Sequence, residues 1–284
     1  MSNKKIAFVG SGAMGEAMIS GLLRQGLAQP QDLMTADVHA RRVEELAERY
    51  GTQPFTDNRL ATAGADVVVL SVKPQRLTEV LRGLKGAISP QALIISIVAG
   101  ARIAKISHGL GHEAIVRSMP NTPAQIGQGI TVWMPSAAVS ADQKEIARTV
   151  IGALGAQVEV DDENYLDMAT ALSGTGPAYV FLFMEAMIDA GVHMGFSRQV
   201  SEQLVVETLK GSVAYLEARN QKDQVHVAAL RNQVTSPGGT TAQALYYLEK
   251  AGFRTAISRA IWAAYERSLE LGKEKTTHIP GTDD

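Results

Sequence analysis

Near its start the chain has a four-residue apolar segment that leads directly into a glycine-rich turn of the form Gly-x-Gly-x-x-Gly. The apolar segment, Ile6 to Val9, is typical of a strand buried on both faces of a parallel sheet. The turn covers residues 10–15, and an amphipathic helical pattern follows it at once. A strand, a glycine turn and a helix in this order predict a dinucleotide-binding fold.

The three glycines of the turn have separate predicted roles. Gly10 allows the tight turn, Gly12 lets the backbone approach a pyrophosphate, and Gly15 lets the helix pack close to the strand. The free N–H groups at the start of the helix then face the phosphates, and the helix dipole favours their negative charge. A purely structural glycine turn in another α/β protein is the alternative for the motif taken alone.

Composition limits the classes of protein to which the chain can belong. The 284 residues are 45% hydrophobic and 20% charged, which predicts a globular protein of two domains. With 27 basic and 29 acidic residues, no basic surplus indicates binding to nucleic acid or to a membrane surface. The absence of cysteine excludes disulfides, thiolate metal sites and cysteine nucleophiles. We find no signal-peptide pattern and no membrane-spanning stretch, so we expect a cytoplasmic protein.

Strand and helix patterns alternate through the first half of the chain. Buried, β-branched runs predict strands at residues 66–72 and 93–97, and we expect further strands at 32–37, 52–55, 114–118 and 157–160, with an edge strand in the region 127–134. We therefore expect an N-terminal, doubly wound Rossmann-type parallel sheet over residues 1–160.

Ligands in such sheets bind outside the carboxyl ends of the strands. Ser71, Val72 and Lys73 lie at the carboxyl end of the predicted strand at 66–72, so they should line the cofactor cleft, and a surface lysine is the alternative for Lys73. Ala99 and Gly100 follow the next strand, and their small size leaves room for a flat nicotinamide ring.

Asp37 lies 22 residues after Gly15, where the dinucleotide fingerprint has an acid for the adenosine ribose. Arg41 and Arg42 follow it closely. An acid that accepts from the 2′-hydroxyl indicates NADH, whereas an arginine beside a 2′-phosphate indicates NADPH. The sequence offers both signals, and the arginines are equally explained by a solvated helix face, so the expected cofactor is NADPH, NADH or either.

His108 and His112 are four residues apart, a spacing that some metal sites use. Gly109 and Gly111 should interrupt a helix between them, and no acidic residue completes a known ligand pattern. We therefore expect no metal site.

After residue 160 the strand patterns stop, which predicts a helical domain over residues 161–272 and a disordered tail over 273–284. A helix over 163–172 should end at the break formed by residues 173–177. The next helix begins at Ala178 and is apolar at seven consecutive positions. A helix that is apolar nearly all round must be covered on all sides, which indicates a second subunit.

The segment from Val234 to Thr241 contains a Gly238-Gly239 pair directly before a predicted helix. Free N–H groups at the positive end of that helix suit a carboxylate, and the hydroxyls of Thr240 and Thr241 can add hydrogen bonds. An ordinary Ser/Pro/Gly helix start is the alternative.

Six segments together resemble the pyrroline-5-carboxylate reductase family. They are GSGAMG at 10–15, SVKPQ at 71–75, SIVAG at 96–100, RSMPNTPA at 117–124, SGTGPAY at 173–179 and, most specific, VTSPGGTTAQAL at 234–245. The resemblance covers nearly the whole chain. It implies an N-terminal Rossmann domain, an all-helical C-terminal dimerisation domain, an interlocked homodimer that often forms a ring of dimers, and NAD(P)H-dependent reduction of a small imino acid, 1-pyrroline-5-carboxylate, to L-proline.

The resemblance also implies roles for individual residues. The residues implied for the pyrophosphate are Gly10, Gly12, Ala13, Met14 and Gly15, and those implied for the rest of the cofactor path are Asn58, Ser71, Val72, Lys73, Ala99 and Gly100. The substrate carboxylate is implied to bind at Ser236 and at the amides of Gly239, Thr240 and Thr241, and the Thr241 hydroxyl is implied to approach the imine nitrogen.

The sequence departs from the family pattern at two places. Some members have a glutamate about a dozen residues before the SPGG segment, where this chain has Asp223-Gln224. Thr175 also stands where the family commonly has serine.

Two other functions remain open from the sequence. A related reductase of 2-keto or 3-hydroxy acids would need a lysine or histidine acid/base in the helical domain, for which Lys210 is the candidate. A non-enzymatic dinucleotide sensor is the second alternative, and the intact SPGGTT segment argues against it.

Overall fold

The structure is a computed structural model that describes residues 4–221 and 223–272. Its contacts group into two units, one of Met1–Pro177 with Ala263–Asp284 and the other of Ala178–Trp262. This grouping assigns residues 161–177 to the same unit as the sheet, whereas the sequence predicts a boundary after residue 160; that boundary stays a prediction. The predicted disordered tail, 273–284, lies outside the described residues.

An eight-stranded sheet forms the centre of the first unit, in the order β3-β2-β1-β4-β5-β6-β7-β8. The strands are β1 (Ile6–Val9), β2 (Leu33–Ala36), β3 (Gln53–Phe55), β4 (Val67–Leu70), β5 (Leu93–Ser96), β6 (Ile115–Met119), β7 (Gly129–Pro135) and β8 (Gly155–Glu159). The first six are parallel, and β7 runs antiparallel to β6. The expected edge position of β7 is wrong, because β8 pairs with its outer side from Gly129 to Trp133.

Seven helices of the first unit follow or connect these strands. They are α1 (Ala13–Arg24), α2 (Ala40–Tyr50), α3 (Asn58–Thr62), α4 (Leu77–Leu84), α5 (Ile103–Leu110), α6 (Ala141–Gly152) and α7 (Asn164–Ala169). Pro74 lies at the start of a helical turn, the 3₁₀ segment Pro74–Arg76.

Successive residues of each central strand point to opposite faces of the sheet, so the strands supply two separate cores. Ile6 and Phe8 belong to one apolar cluster, which also contains residues of α1 and α6. Ala7 and Val9 belong to the other, which contains residues of α4 and α5. Helices therefore cover both faces, and the expected doubly wound Rossmann-type architecture is confirmed.

The expected break at residues 173–177 is wrong, because the chain stays helical through it. A single π-helical turn, Thr170–Gly174, follows α7, and α8 (Gly176–His193) begins directly after it. Hydroxyl groups bond to backbone carbonyls here: Ser173 donates to Ala169 O (3.0 Å) and Thr175 to Thr170 O (2.9 Å). Serine and threonine, which usually mark turns, thus satisfy the backbone of a widened helical turn.

The remaining helices are α9 (Arg198–Asn220), α10 (Val227–Gln233), α11 (Thr240–Lys250) and α12 (Phe253–Gly272). Ser197 caps α9 by accepting a hydrogen bond from Val200 N. Few side chains of the second unit are buried. Phe181 and Leu182 of α8 are 60% and 67% exposed, so this unit leaves a large apolar surface uncovered.

By length and composition, the described chain contains one helical stretch apolar enough to cross a membrane, Asn164–His193. The expectation that no stretch would meet this test is therefore corrected. The finding is weak evidence for a membrane, since helices covered by protein meet the same test.

A buried ionic cluster joins distant parts of the first unit. Arg117 of β6 donates to Asp167 of α7 at 2.9 Å and to Glu163 at 3.0 Å. Ser268 of α12 donates to the same Asp167 oxygen at 2.9 Å. Arg117, Asp167 and Ser268 are each about 2% exposed. We name these four residues the Arg117 cluster.

Removal of the Asp167 carboxylate should destabilise the fold strongly, because it leaves the buried Arg117 guanidinium with one carboxylate partner instead of two. We expect Asp167→Ala to lower the free energy of unfolding by about 3–5 kcal/mol. The control is Glu270→Ala, which breaks an exposed ion pair with Arg267 and should change stability by less than about 1 kcal/mol. Equal denaturant midpoints for the two variants would contradict the structural role of the cluster.

Candidate dinucleotide and carboxylate sites

Two of the three turn glycines lie where a side chain would collide with the backbone. Gly10 has φ of 90° and donates its N–H to Ala36 O at 2.9 Å. A Cβ at Gly10 would lie 2.9 Å from the carbonyl of Ser71, and one at Gly15 would lie 2.9 Å from Gly10 O. The turn therefore packs against the end of β4 and against α1 at distances that only glycine permits.

Gly12 differs, because a Cβ there would meet no atom within 4 Å. It is the N-cap residue of α1, so no side chain of the cap accepts from the first-turn N–H groups. Gly12 and Ala13 are exposed, and Met14 is half-buried. Open space in front of free amides at a helix N-terminus fits a phosphate group, so the residues present suit the pyrophosphate of a dinucleotide.

We name the glycine turn, residues 10–15, together with the open space in front of the first turn of α1 the phosphate cradle. The residues after β4 form one side of it. Ser71 donates its hydroxyl to Gly10 O at 2.5 Å, which ties the glycine turn to β4. Val72 is half-buried, and its Cγ1 would lie 2.8 Å from a Cβ on Gly10. Lys73 is exposed and precedes the Pro74–Arg76 turn.

Asp37 follows β2 and is bound to the glycine turn itself. Its carboxylate accepts from Ser11 N at 3.1 Å, from His39 N at 3.1 Å and from His39 Nδ1 at 2.9 Å. Partial burial alone would raise the pKa of Asp37, but the bonds from Ser11 and His39 outweigh burial and lower the pKa below its usual value. Asp37 is thus an ionised acceptor beside the phosphate cradle.

The arginines near Asp37 are engaged by glutamates. Arg42 donates to Glu16 at 2.5 Å and to Ser11 O at 2.6 Å, and Arg49 donates to Glu16 at 2.6 Å. Arg41 is exposed and pairs with Glu45 at 3.0 Å. Burial favours a raised pKa for Glu16, but the bonds from Arg42 and Tyr50 prevail and lower its pKa. The Arg41–Glu45 pair fits the solvated helix face that the sequence offered as an alternative, whereas the contacts of Arg42 and Arg49 with Glu16 had no sequence signal.

The other expected cofactor residues lie at the same edge of the sheet. Asn58 is half-buried and begins α3, which Asp57 caps. Ala99 is half-buried after β5. Gly100 is buried, and a Cβ there would lie 2.9 Å from Leu271 Cβ. The small size of Gly100 therefore makes room for the end of α12, a contact that has no signal in the sequence.

In the second unit, the segment before α11 forms a comparable helix start. Gly238 has φ of 69°, and Gly239 is the N-cap residue, so the cap again has no side chain. A Cβ on Gly239 would lie 2.5 Å from Ser236 Oγ, which brings that hydroxyl beside the first turn. Ser236 and Thr240 are exposed and Thr241 is half-buried. An accessible helix N-terminus flanked by hydroxyls can bind a carboxylate.

The histidine pair lies elsewhere in the first unit. Gly109 lies inside α5 and does not interrupt it, so that part of the expectation is wrong. A Cβ at Gly109 would collide with Leu81. Gly111 ends the helix with φ of 67°, as expected. His112 is buried and its Nε2 lies 2.7 Å from Ala92 O. No group of three or more potential metal-binding side chains occurs within residues 4–221 and 223–272.

The fold and the phosphate cradle define the class of protein, which is an NAD(P)-dependent oxidoreductase with a Rossmann-type domain. Two family models match the chain in agreement with this class. One is described as NADP oxidoreductase, coenzyme F420-dependent, and matches residues 5–100; the other is pyrroline-5-carboxylate reductase dimerisation and matches residues 163–271.

Full-length relatives give the particular family. Pyrroline-5-carboxylate reductase of Pseudomonas aeruginosa is 40% identical, over 96% of this chain and 99% of that protein. The Synechocystis protein of the same name is 38% identical over 95% and 99%. A crystal structure of Plasmodium falciparum pyrroline carboxylate reductase with NADP bound has a TM-score of 0.87 at 35% identity, over 96% of this chain and 100% of that one. The chain belongs to the pyrroline-5-carboxylate reductase family.

A side chain on Gly12 should separate cofactor binding from folding. Gly12→Ala has space for its Cβ, so the unfolding temperature should stay within about 2 °C, while the Cβ enters the phosphate space and weakens NAD(P)H binding by about tenfold or more. Gly83→Ala is the matched control, because Gly83 also has no atom within 4 Å of a Cβ and lies away from the cradle in α4. Unchanged NAD(P)H titrations of Gly12→Ala would contradict the phosphate role.

Proposed function

We propose that the protein catalyses NAD(P)H-dependent reduction of 1-pyrroline-5-carboxylate to L-proline, the last step of proline biosynthesis. The observation that carries this proposal is the uncapped N-terminus of α11 with its Ser236 and Thr241 hydroxyls, in a chain that also has the phosphate cradle. The substrate is a small cyclic imine with one carboxylate, which suits such a helix start. Family membership along the whole chain supports the same reaction.

The cofactor, when bound, would supply the hydride that C5, the carbon atom of the C=N bond, accepts, and the imine nitrogen would receive a proton. The protein provides binding and orientation. Gly10, Gly12, Ala13, Met14 and Gly15 are proposed to hold the pyrophosphate, with Asp37 and Arg41 near the adenosine ribose, and Asn58, Ser71, Val72, Lys73, Ala99 and Gly100 are proposed to line the remaining path. Fixing both reactants lowers the entropic part of the barrier.

The substrate carboxylate is proposed to bind the amides of Gly239, Thr240 and Thr241. Ser236 and the left-handed backbone conformation of Gly238 are proposed to shape the loop. The Thr241 hydroxyl is proposed to hydrogen-bond the imine nitrogen and to assist its protonation, either directly or through water. Thr241 is half-buried and lies in the first turn of α11.

The second unit is proposed to form an interlocked homodimer, which can assemble further into a ring of dimers. Its support is the apolar surface of α8, which the chain alone leaves exposed, and the match of residues 163–271 to a dimerisation family. We also propose a cytoplasmic location, without a nucleic-acid or membrane partner.

Light scattering should give a mass at least twice that of the single chain. Phe181→Glu should reduce this mass, whereas the control variant Asp142→Lys, in the sheet unit, should leave it unchanged.

The alternative that uses Lys210 as an acid/base is not supported by its surroundings. Lys210 is 68% exposed and pairs with Glu207 at 2.9 Å on the surface of α9.

Loss of reduced-cofactor absorbance should depend on pyrroline-5-carboxylate in a direct test. NADPH and NADH are supplied in parallel, with a 2-keto acid as the alternative substrate. Consumption that requires the imine, with proline as the product, is the expected result. A folded protein that binds cofactor but oxidises it only with the keto acid, or not at all, would contradict the proposal.

Thr241→Ala tests the role of the hydroxyl within the same assay. The variant should lower kcat by about tenfold or more, since a hydrogen bond to a charged group contributes about 1.5–3 kcal/mol. Its Kd for NAD(P)H should not change, because the proposed contact involves the imine. Thr241→Ser keeps the hydroxyl and should recover most of the activity. Wild-type turnover in Thr241→Ala would exclude this role.

A further inference from the structure

The surroundings of Asp37 bear on a choice that the two sequence signals left open, namely which form of the cofactor the protein binds. The Plasmodium falciparum structure holds NADP, so the family fold accepts a 2′-phosphate in that protein. In the present chain the groups next to the glycine turn must decide the preference. They comprise one carboxylate held in place and several arginines.

Asp37 is positioned by contacts that do not need a ligand. Of the roughly four acceptor positions of a carboxylate, three are used by the Ser11 N–H, the His39 N–H and the His39 ring. Oδ1 takes both His39 bonds, so Oδ2, which accepts only from Ser11, retains an acceptor position. Because Ser11 belongs to the glycine turn, that oxygen lies beside the expected phosphate cradle.

Each arginine that could receive a 2′-phosphate already pairs with a glutamate. Glu16 takes one bond each from Arg42 and Arg49, and a third from Tyr50 at 3.0 Å. Arg41 is 91% exposed and its Nε is bound to Glu45. Arg42 is further restrained by its bond to Ser11 O.

We propose that the protein prefers NADH to NADPH, with Asp37 as the specificity-determining residue and Glu16 as a positioning residue that keeps Arg42 and Arg49 away from a 2′-phosphate. The acceptor position on Asp37 suits a ribose hydroxyl, and its charge repels a phosphate dianion. This inference rests on the proposed function, since it concerns the reduced cofactor of the same reaction.

The test measures binding without the imine. Kd values for NADH and NADPH come from nicotinamide fluorescence, and those for 5′-AMP and 2′,5′-ADP come from calorimetry. We expect the wild-type protein to bind NADH about tenfold or more tighter than NADPH, and 5′-AMP tighter than 2′,5′-ADP, as for one partly screened repulsion between neighbouring charges. Equal affinities, or tighter NADPH binding, would overturn the proposal.

Two variants separate the roles of the carboxylates. Asp37→Asn should reduce the NADH-to-NADPH affinity ratio at least fivefold by weakening NADH and strengthening NADPH. Glu16→Gln should strengthen 2′,5′-ADP binding by releasing the two arginines, while 5′-AMP binding stays within twofold. An unchanged ratio in Asp37→Asn would exclude its role as the determinant. If Asp37→Asn fails to fold, the wild-type ratios and Glu16→Gln still decide the question.

Asp142→Asn is the matched control, because it removes the same charge at the opposite edge of the sheet. Asp142 lies in the first turn of α6, which follows the antiparallel strand β7 and bonds through Gln143 to Gln91 before β5. Its affinity ratio should equal that of the wild type. Binding preference and imine-dependent turnover are separate readouts, so a correct ratio without turnover would contradict only the proposed reaction, and turnover with an inverted ratio would contradict only this inference.

Discussion

The close approach of the glycine turn to the end of β4 is the constraint on which the rest of the first unit depends. β1 and β4 are neighbours in the sheet, and the chain leaving β1 must pass directly over Ser71 before α1 begins. With no Cβ at Gly10 or Gly15, the turn can make this passage and α1 can lie against the sheet. The result is an open, uncapped helix N-terminus fixed in place by backbone and hydroxyl bonds rather than by a ligand.

The second organising feature is ionic. Arg117 lies in β6 and is almost fully buried, so its charge requires the carboxylates of Glu163 and Asp167, at the start of α7 and within it. Such pairs contribute less to net stability than to a defined arrangement, because burial of both charges offsets much of their attraction. The Arg117 cluster thereby fixes α7 and the final turns of α12 on the sheet, close to where Gly100 admits Leu271.

Much of the fold follows from local sequence signals. Short apolar runs predict the central strands β1, β4 and β5, since strands buried on both faces need uninterrupted apolar side chains. Local signals fail where tertiary contacts prevail. Ser173 and Gly174 resemble a helix break, yet hydroxyl-to-carbonyl bonds keep the chain helical. Gly109 likewise resembles a break, yet it lies inside α5, where the missing side chain lets Leu81 pack close to the helix. Residues of the candidate sites could be named from motifs, but the engagement of Arg42 by Glu16, 26 positions away, has no local signature.

The position of Ser268 in the Arg117 cluster has a consequence for biosynthesis. Asp167 and Ser268 are 101 residues apart in the chain, so Asp167 leaves the ribosome well before its hydroxyl partner is made. At about 5–20 residues per second, the nascent sheet unit waits roughly 5–20 s for this contact. During that interval α7 is held only by its earlier partners, and α12 completes a unit whose strand β1 was translated long before it.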